Sequence, residues 1–162
     1  MKTNILITAF LLCAIFFTYS QTKKNIFAKS FIHKKAPELI IEQWISEKPT
    51  TKGKYILIDF WATTCGPCRF LIRELNNFQE KFQDKLVVIG VTYEPVEKLY
   101  TYKEQIHYYF GTDTHKGTYS TYKILGIPYA VLINPEGIVE WEGYPLLDSH
   151  PLTEKVIKNI IE

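Results

Sequence analysis

Apolar positions recur along this chain in two different periods, and each change of period marks a predicted element. Short apolar runs bounded by turn residues predict strands that are buried on both faces of a sheet. Apolar residues three and four positions apart predict helices. The predicted strands cover residues 26–31, 55–61, 86–91, 129–133 and 138–141, and residues 39–45 form either a strand or an irregular edge.

The first long helical pattern begins directly after the strand at 55–61. Its predicted apolar face consists of Phe70, Leu71, Leu75, Phe78 and Phe82. Three further helices are predicted over residues 96–109, 118–125 and 152–161, with loops or turns at 49–54, 111–117 and 134–137. Strands therefore alternate with helices before a final hairpin and helix. This order predicts an α/β fold with a central mixed β-sheet flanked by helices.

The first 20 residues have the pattern of an export signal. Lys2 precedes an apolar run over residues 5–17, and Thr18 and Ser20 are small residues before a cleavage point after Ser20. The run is shorter than the roughly 20 residues of a membrane span, although an uncleaved anchor is the alternative. We predict a signal peptide over residues 1–20, a lead-in over 21–35 and a folded domain over 36–162.

Composition narrows the classes of fold and partner. The chain of 162 residues is 46% hydrophobic and 22% charged, which excludes a disordered or collagen-like chain. A net charge of +2 is too balanced for nucleic acid to be the main partner. Cys13 lies in the predicted signal, so the exported chain would carry only Cys65 and Cys68, in a compartment where disulfides persist.

Cys65 and Cys68 stand between a predicted strand and a predicted helix. Free backbone N–H groups and the positive end of the helix dipole favour the nucleophilic thiolate at Cys65. Cys68 lies one helical turn further on, close enough to attack a mixed disulfide formed at Cys65. A structural disulfide remains open. Half of a zinc site is the other alternative, but the exported chain has no third cysteine and its histidines lack the paired spacing of a zinc finger, so we predict no metal.

Two motifs resemble those of the thioredoxin superfamily. Residues 59–69, Asp-Phe-Trp-Ala-Thr-Thr-Cys-Gly-Pro-Cys-Arg, are similar to its active-site motif, and Gly126-Ile127-Pro128 is similar to its second signature before a strand. Residues 36–160 look most like the exported TlpA/ResA-type thiol–disulfide oxidoreductases. The resemblance implies a thioredoxin fold with an inserted helical segment after the strand at 86–91.

The resemblance also implies roles for single residues. Cys65 would be the attacking cysteine, Cys68 the resolving one, and Pro128 a cis-proline beside their redox-active disulfide. Asp59 would be a buried carboxyl that resists ionisation and exchanges a proton with Cys68. The implied substrate-binding surface consists of Trp61, Gly66, Pro67, Ile127 and Pro128, although Trp61 also fits a plain core position.

Two features depart from the family pattern or leave it open. Thr64 stands where relatives usually carry a tryptophan directly before the first cysteine. Exported members often place a glutamate after the second strand of the domain, and Glu94 and Glu97 are both candidates for it. Neither is assigned a role from the sequence.

The direction of exchange follows from the resemblance. Gly66-Pro67 and Ile127 match the reducing members, which implies a protein-disulfide reductant nearer to the about −270 mV of thioredoxin than to the about −120 mV of DsbA. An exported reductant needs an electron donor, so we expect a membrane-bound thiol reductase as one partner. Oxidised protein thiols, including an apocytochrome c, are the expected substrates in the periplasm or at the outer face of the inner membrane. A monomer without a cofactor is expected. The alternatives are a thiol peroxidase and a non-catalytic protein-binding module.

Overall fold

The computed structural model of this protein describes residues 27–103 and 105–162. The predicted signal peptide, residues 1–20, and the first part of the lead-in lie outside these residues. Across the two described ranges, no helix is both long enough and apolar enough to cross a bilayer.

The described residues form a six-stranded sheet with helices packed on it. The strands are β1 (Gln43–Trp44), β2 (Tyr55–Phe60), β3 (Leu86–Thr92), β4 (Tyr109–Thr112), β5 (Tyr129–Ile133) and β6 (Val139–Gly143). The helices are α1 (Gly66–Phe82), α2 (Val96–Leu99) with a following 3₁₀ turn (Tyr100–Tyr102), α3 (Gly117–Thr121) and α4 (Glu154–Ile161).

The sheet is mixed, with the strand order β1-β4-β3-β2-β5-β6. β2, β3 and β4 run parallel, whereas β5 pairs with β2, β6 with β5 and β1 with β4 in antiparallel register. Every residue of β3 and β5 is buried, as the continuous apolar runs predicted for strands covered on both faces. The prediction of a mixed sheet flanked by helices is therefore confirmed.

Alternation along β2 assigns its side chains to two cores. Leu57 packs on the face covered by α1 and α4, whereas Ile58 and Phe60 pack on the opposite face with Tyr119 and Tyr122. Because successive side chains of a strand point to opposite faces, Asp59 lies on the α1 face, between Leu57 and Trp61. One polar residue is thus placed on the face of the larger apolar cluster.

The strand β4 corrects the prediction of a helix reaching residue 109 and a loop at 111–117. Tyr109, Phe110 and Thr112 favour strands, but the element has only four residues and contains Gly111, so its local signal is short. Pairing with β3 on one side and β1 on the other supplies its hydrogen bonds. A Cβ at Gly111 would lie 2.6 Å from the carbonyl oxygen of Gln43, so the glycine permits the close approach of β1.

Three other predictions differ from the structure. No strand occurs at the described residues 27–31; instead Ile32 and Lys35 form isolated bridges to Val139 and Ile138. Phe70, placed on the predicted apolar face of α1, is 80% exposed because helical periodicity puts it nearly opposite the buried Cys68 and Ile72. The region 39–45 forms only the two-residue strand β1, and the remaining predicted helices are shorter than their apolar periodicity suggested.

Candidate functional site

The two cysteines form a disulfide at the N-terminus of α1. β2 ends at Phe60, and Cys65 is the N-cap of the 17-residue helix, with Pro67 in the first turn, where its missing N–H is not needed. Cys65 is half-buried, whereas Cys68 is only 1% exposed. An incoming sulfur can therefore reach Cys65 but not Cys68.

Backbone dipoles at this helix end stabilise negative charge on Cys65. The backbone N–H of Cys68 donates to Cys65 Sγ at 3.2 Å, and the first turn of α1 contains no acidic residue. Such a position contributes about 0.3–1 kcal/mol toward an anion, and up to ~2 kcal/mol where it is partly buried. After reduction, the same contacts favour thiolate over thiol at Cys65.

Asp59 lies on the face of the sheet that α1 covers, with 1% of its surface exposed. Burial raises the pKa of Asp59 from 3.8 to about 7, although a hydrogen bond from the Tyr108 hydroxyl opposes that rise. Tyr108 Oη donates to Asp59 Oδ2 at 3.3 Å. Asp59 Oδ1 has no hydrogen-bond partner among the described residues. The expectation that this carboxyl resists ionisation is confirmed, and it can gain or lose a proton near neutral pH.

Tyr108 is a site residue that the sequence did not indicate. Asp59 is paired across the sheet with Gly90, and a Cβ on Gly90 would lie 3.0 Å from Tyr108 Cε2. The glycine thus leaves the space through which the tyrosine ring reaches the carboxyl. Burial and the neighbouring Asp59 raise the pKa of Tyr108 well above its ordinary value, so its hydroxyl remains a donor.

Glu94, rather than Glu97, contacts the loop that carries the cysteines. Glu94 is 6% exposed, and its carboxylate accepts hydrogen bonds from the Thr63 backbone N–H at 2.6 Å and from Thr63 Oγ1 at 2.7 Å. The Tyr102 hydroxyl donates to the carbonyl oxygen of Thr63 at 3.1 Å. Glu97 is exposed on α2. The structure therefore resolves the open choice between the two glutamates: Glu94 holds the segment two residues before Cys65.

The expected cis-proline is confirmed, because the Ile127–Pro128 peptide bond is cis. Pro128 is buried, and Ile127 is half-buried against the same apolar cluster as Cys65. Gly66 is half-buried and Pro67 exposed, as a surface role requires.

Trp61 corrects the expectation of a substrate-facing tryptophan. Its side chain is fully buried in the cluster that contains Cys68, and its ring packs edge-on against Tyr102. Trp61 therefore supports the site from within the apolar core. Thr64, where relatives usually carry tryptophan, is exposed.

Comparisons with known proteins agree with this geometry. A family model described as Thioredoxin-like matches residues 53–139. The chain is 27% identical to the thioredoxin-like protein YneN of Bacillus subtilis, over 65% of this chain and 66% of that protein. It is 28% identical to the thiol-disulfide oxidoreductase ResA of Bacillus cereus, over 84% of this chain and 83% of that protein. The chain spans two thirds or less of the length of YneN and of several other curated relatives, whereas it spans most of ResA.

A solved structure shares the fold. The thioredoxin domain of a thiol-disulfide oxidoreductase from Bacteroides vulgatus superposes with a TM-score of 0.69 at 22% identity, covering 83% of this chain and all of that one.

Proposed function

This chain belongs to the thioredoxin-like family, and we propose that it is an exported thiol–disulfide oxidoreductase that reduces disulfides in other proteins. The single observation that carries the proposal is the Cys65–Cys68 disulfide at the start of α1, in which only Cys65 is accessible. The relatives named thiol-disulfide oxidoreductase support the oxidoreductase class. The thioredoxin dipeptide Gly66-Pro67 favours the reducing direction.

The reaction proceeds through a mixed disulfide. In the reduced protein, the Cys65 thiolate attacks one sulfur of a client disulfide. The client S–S bond breaks, its second sulfur leaves and takes up a proton, and Cys65 becomes bonded to the first. Cys68, after losing its proton, then attacks Cys65 Sγ, which releases that client sulfur as a thiolate that takes up the second proton. The client gains two electrons and two protons, and the protein becomes the disulfide form described above.

Asp59 acts in the second step. Cys68 is buried and must lose its proton before it can attack, and the Asp59 carboxylate on the same face of the sheet is the acceptor. A pKa of about 7 places this group where it is partly ionised at neutral pH. The buried carboxyl therefore limits resolution more than it limits the first attack.

The proposed location and partners follow from the reducing direction. Residues 1–20 would direct export to the periplasm or to the outer face of the inner membrane. A membrane-bound thiol reductase would return electrons to the Cys65–Cys68 disulfide, since no part of the catalytic cycle regenerates the dithiol. Oxidised cysteine pairs of exported proteins, including an apocytochrome c before haem attachment, would be the clients.

Two measurements test this proposal. Redox titration of the purified protein is expected to give a potential near the about −270 mV of thioredoxin, and a value above about −170 mV would overturn the reducing direction. Insulin reduction should be lost in Cys65→Ser and Cys68→Ser. Cys68→Ser should also accumulate a mixed disulfide through Cys65, whose client mass spectrometry would identify.

The peroxidase and binding-module alternatives give different outcomes. The Thr63 hydroxyl donates to Glu94 and is therefore not free to support a peroxidatic cysteine. Rapid peroxide turnover with a thiol donor would nevertheless favour the peroxidase. A wild-type protein as inert toward insulin as its cysteine variants would favour the binding module.

A further inference from the structure

An open groove of about 460 Å³ adjoins the cis-proline segment. It extends from Tyr93, after β3, across α3 to Ile127, the residue before Pro128. Its apolar wall includes Leu125, which is 77% exposed. Ile127, at this end of the groove, directly precedes the cis-proline and packs against the apolar cluster on which Cys65 also packs.

The charged residues of the groove are all cationic. Lys116 and Lys123 line it, and none of its lining residues is acidic. The ammonium group of Lys116 lies 4.4 Å from the centroid of the Tyr93 ring, a cation–π contact that holds it over the groove. Among the described residues, neither lysine forms a salt bridge, whereas Lys81, Lys98 and Lys158 do.

The same two lysines have an unusual backbone conformation with a positive φ. Lys116 has a φ of 59° and Lys123 a φ of 54°, in the left-handed region where glycine is favoured. Of the three non-glycine residues with positive φ in the described part of the chain, these two line the groove. Keeping a lysine where glycine would avoid steric strain points to a use for the side chain.

We propose that this groove binds client proteins by an acidic side chain close to the client cysteine. The inference rests on the proposed function, because the client must lie across the cis-proline while its sulfur meets Cys65. An extended client segment places apolar side chains on Leu125 and Ile127 and a carboxylate between Lys116 and Lys123. The substrate class is therefore an acidic-flanked cysteine pair rather than any accessible disulfide.

Peptides with a single central cysteine, blocked as a 2-thiopyridyl disulfide, test the inference. Each peptide carries Glu, Gln or Lys at one flanking position, and release of thiopyridone by the reduced protein gives a second-order rate constant. At one or more positions we expect Glu to react about 2- to 5-fold faster than Gln. High salt should remove this advantage, because it screens the ion pair.

Variants of the lysines complete the test. Lys116→Gln and Lys123→Gln should each reduce the ratio of the Glu rate to the Gln rate, and the double variant should bring that ratio to one. Lys155→Gln, an exposed lysine of α4 outside the groove, is the matched control and should keep the full advantage. Lys123→Gly should reduce the advantage as Lys123→Gln does, without a lower Tm, since glycine tolerates the left-handed backbone.

The contradicting outcomes separate the two proposals. Equal rates for Glu, Gln and Lys peptides, or an advantage that survives in the double variant, would overturn acidic recognition and leave the oxidoreductase intact. Failure to react with any peptide would overturn the oxidoreductase itself. A dimer in the wild type that becomes a monomer in the double variant would assign the groove to a second copy and would also overturn the proposal.

Discussion

Replacing Tyr108 by phenylalanine tests whether the hydrogen bond to Asp59 sets the rate of disulfide resolution. The hydroxyl lies 3.3 Å from Asp59 Oδ2 and lowers the pKa of that carboxyl against the larger effect of burial. Removing it leaves the ring packed over Gly90 but takes away a donor to the carboxylate. The pKa of Asp59 should therefore rise further above about 7.

The size of the rise in the pKa of Asp59 can be worked from the hydrogen bond that Tyr108→Phe removes. A hydrogen bond to a charged group contributes about 1.5–3 kcal/mol, and the 3.3 Å distance places this one at the low end. Since about 1.4 kcal/mol corresponds to one pH unit, the pH midpoint should rise by roughly one unit. At pH 7 the ionised fraction of Asp59 would fall from about one half to about one tenth, and resolution would slow by about fivefold.

Two-phase reaction with an aromatic disulfide measures this step. The reduced protein releases one thiolate when Cys65 attacks and a second when Cys68 resolves the adduct. In Tyr108→Phe the second phase should shift to higher pH, with the first nearly unchanged. Tyr55→Phe is the matched control, because the Tyr55 hydroxyl donates to Ile160 at the other end of β2.

Two results would refute this reasoning. An unchanged midpoint in Tyr108→Phe would show that the hydroxyl does not tune the carboxyl. A second phase that keeps its midpoint near pH 7 in Asp59→Asn would show that another group accepts the proton.

Two further predictions concern stability. Asp59→Asn should stabilise the protein above about pH 4. The folded carboxyl keeps its proton to about pH 7, whereas the unfolded one ionises near pH 3.8. The wild type therefore loses stability as the pH rises between these values, by roughly 4 kcal/mol at most. Urea unfolding at pH 4 and pH 8 checks this, and a variant no more stable than wild type at pH 8 would contradict it. Glu94→Gln should cost about 1–3 kcal/mol, because the two hydrogen bonds from Thr63 reach different carboxylate oxygens and glutamine replaces one of these oxygens by an NH2 group. The exposed Glu97→Gln is its control, and equal unfolding midpoints for the two would argue against the anchoring role.

The central part of the site was predictable because its determinants are adjacent in the chain. A buried strand, a turn, Cys65-Gly66-Pro67-Cys68 and a helix follow one another within residues 55–82. Apolar periodicity and helix-end chemistry act over one or two turns, so a local pattern specifies them. The cis-proline Pro128 was equally readable, but only through the resemblance of its motif.

Side-chain partners from distant segments were not predictable in the same way. The Tyr108 hydroxyl contacts Asp59, which lies 49 positions earlier in the chain, and Glu94 contacts Thr63, which lies 31 positions earlier. Tyr108 lies directly before β4, a four-residue strand whose place in the sheet is set by its pairing with β3 and β1. A local pattern cannot choose between Glu94 and Glu97, or between a core and a surface Trp61, because the packed strands and helices decide which side chain faces the loop.

Taken alone, the amino-acid sequence predicted the fold class and the reactive pair, and the resemblance of its motif predicted a buried carboxyl at Asp59. The tertiary structure decided what surrounds them: the Tyr108 donor, the Glu94 anchor and the cationic groove of Lys116 and Lys123. The physical reason is the separation along the chain over which each interaction acts. Hydrophobic periods and caps act between residues a few positions apart, whereas the pKa of Asp59 and the charge of the groove depend on groups brought together only by sheet pairing and packing.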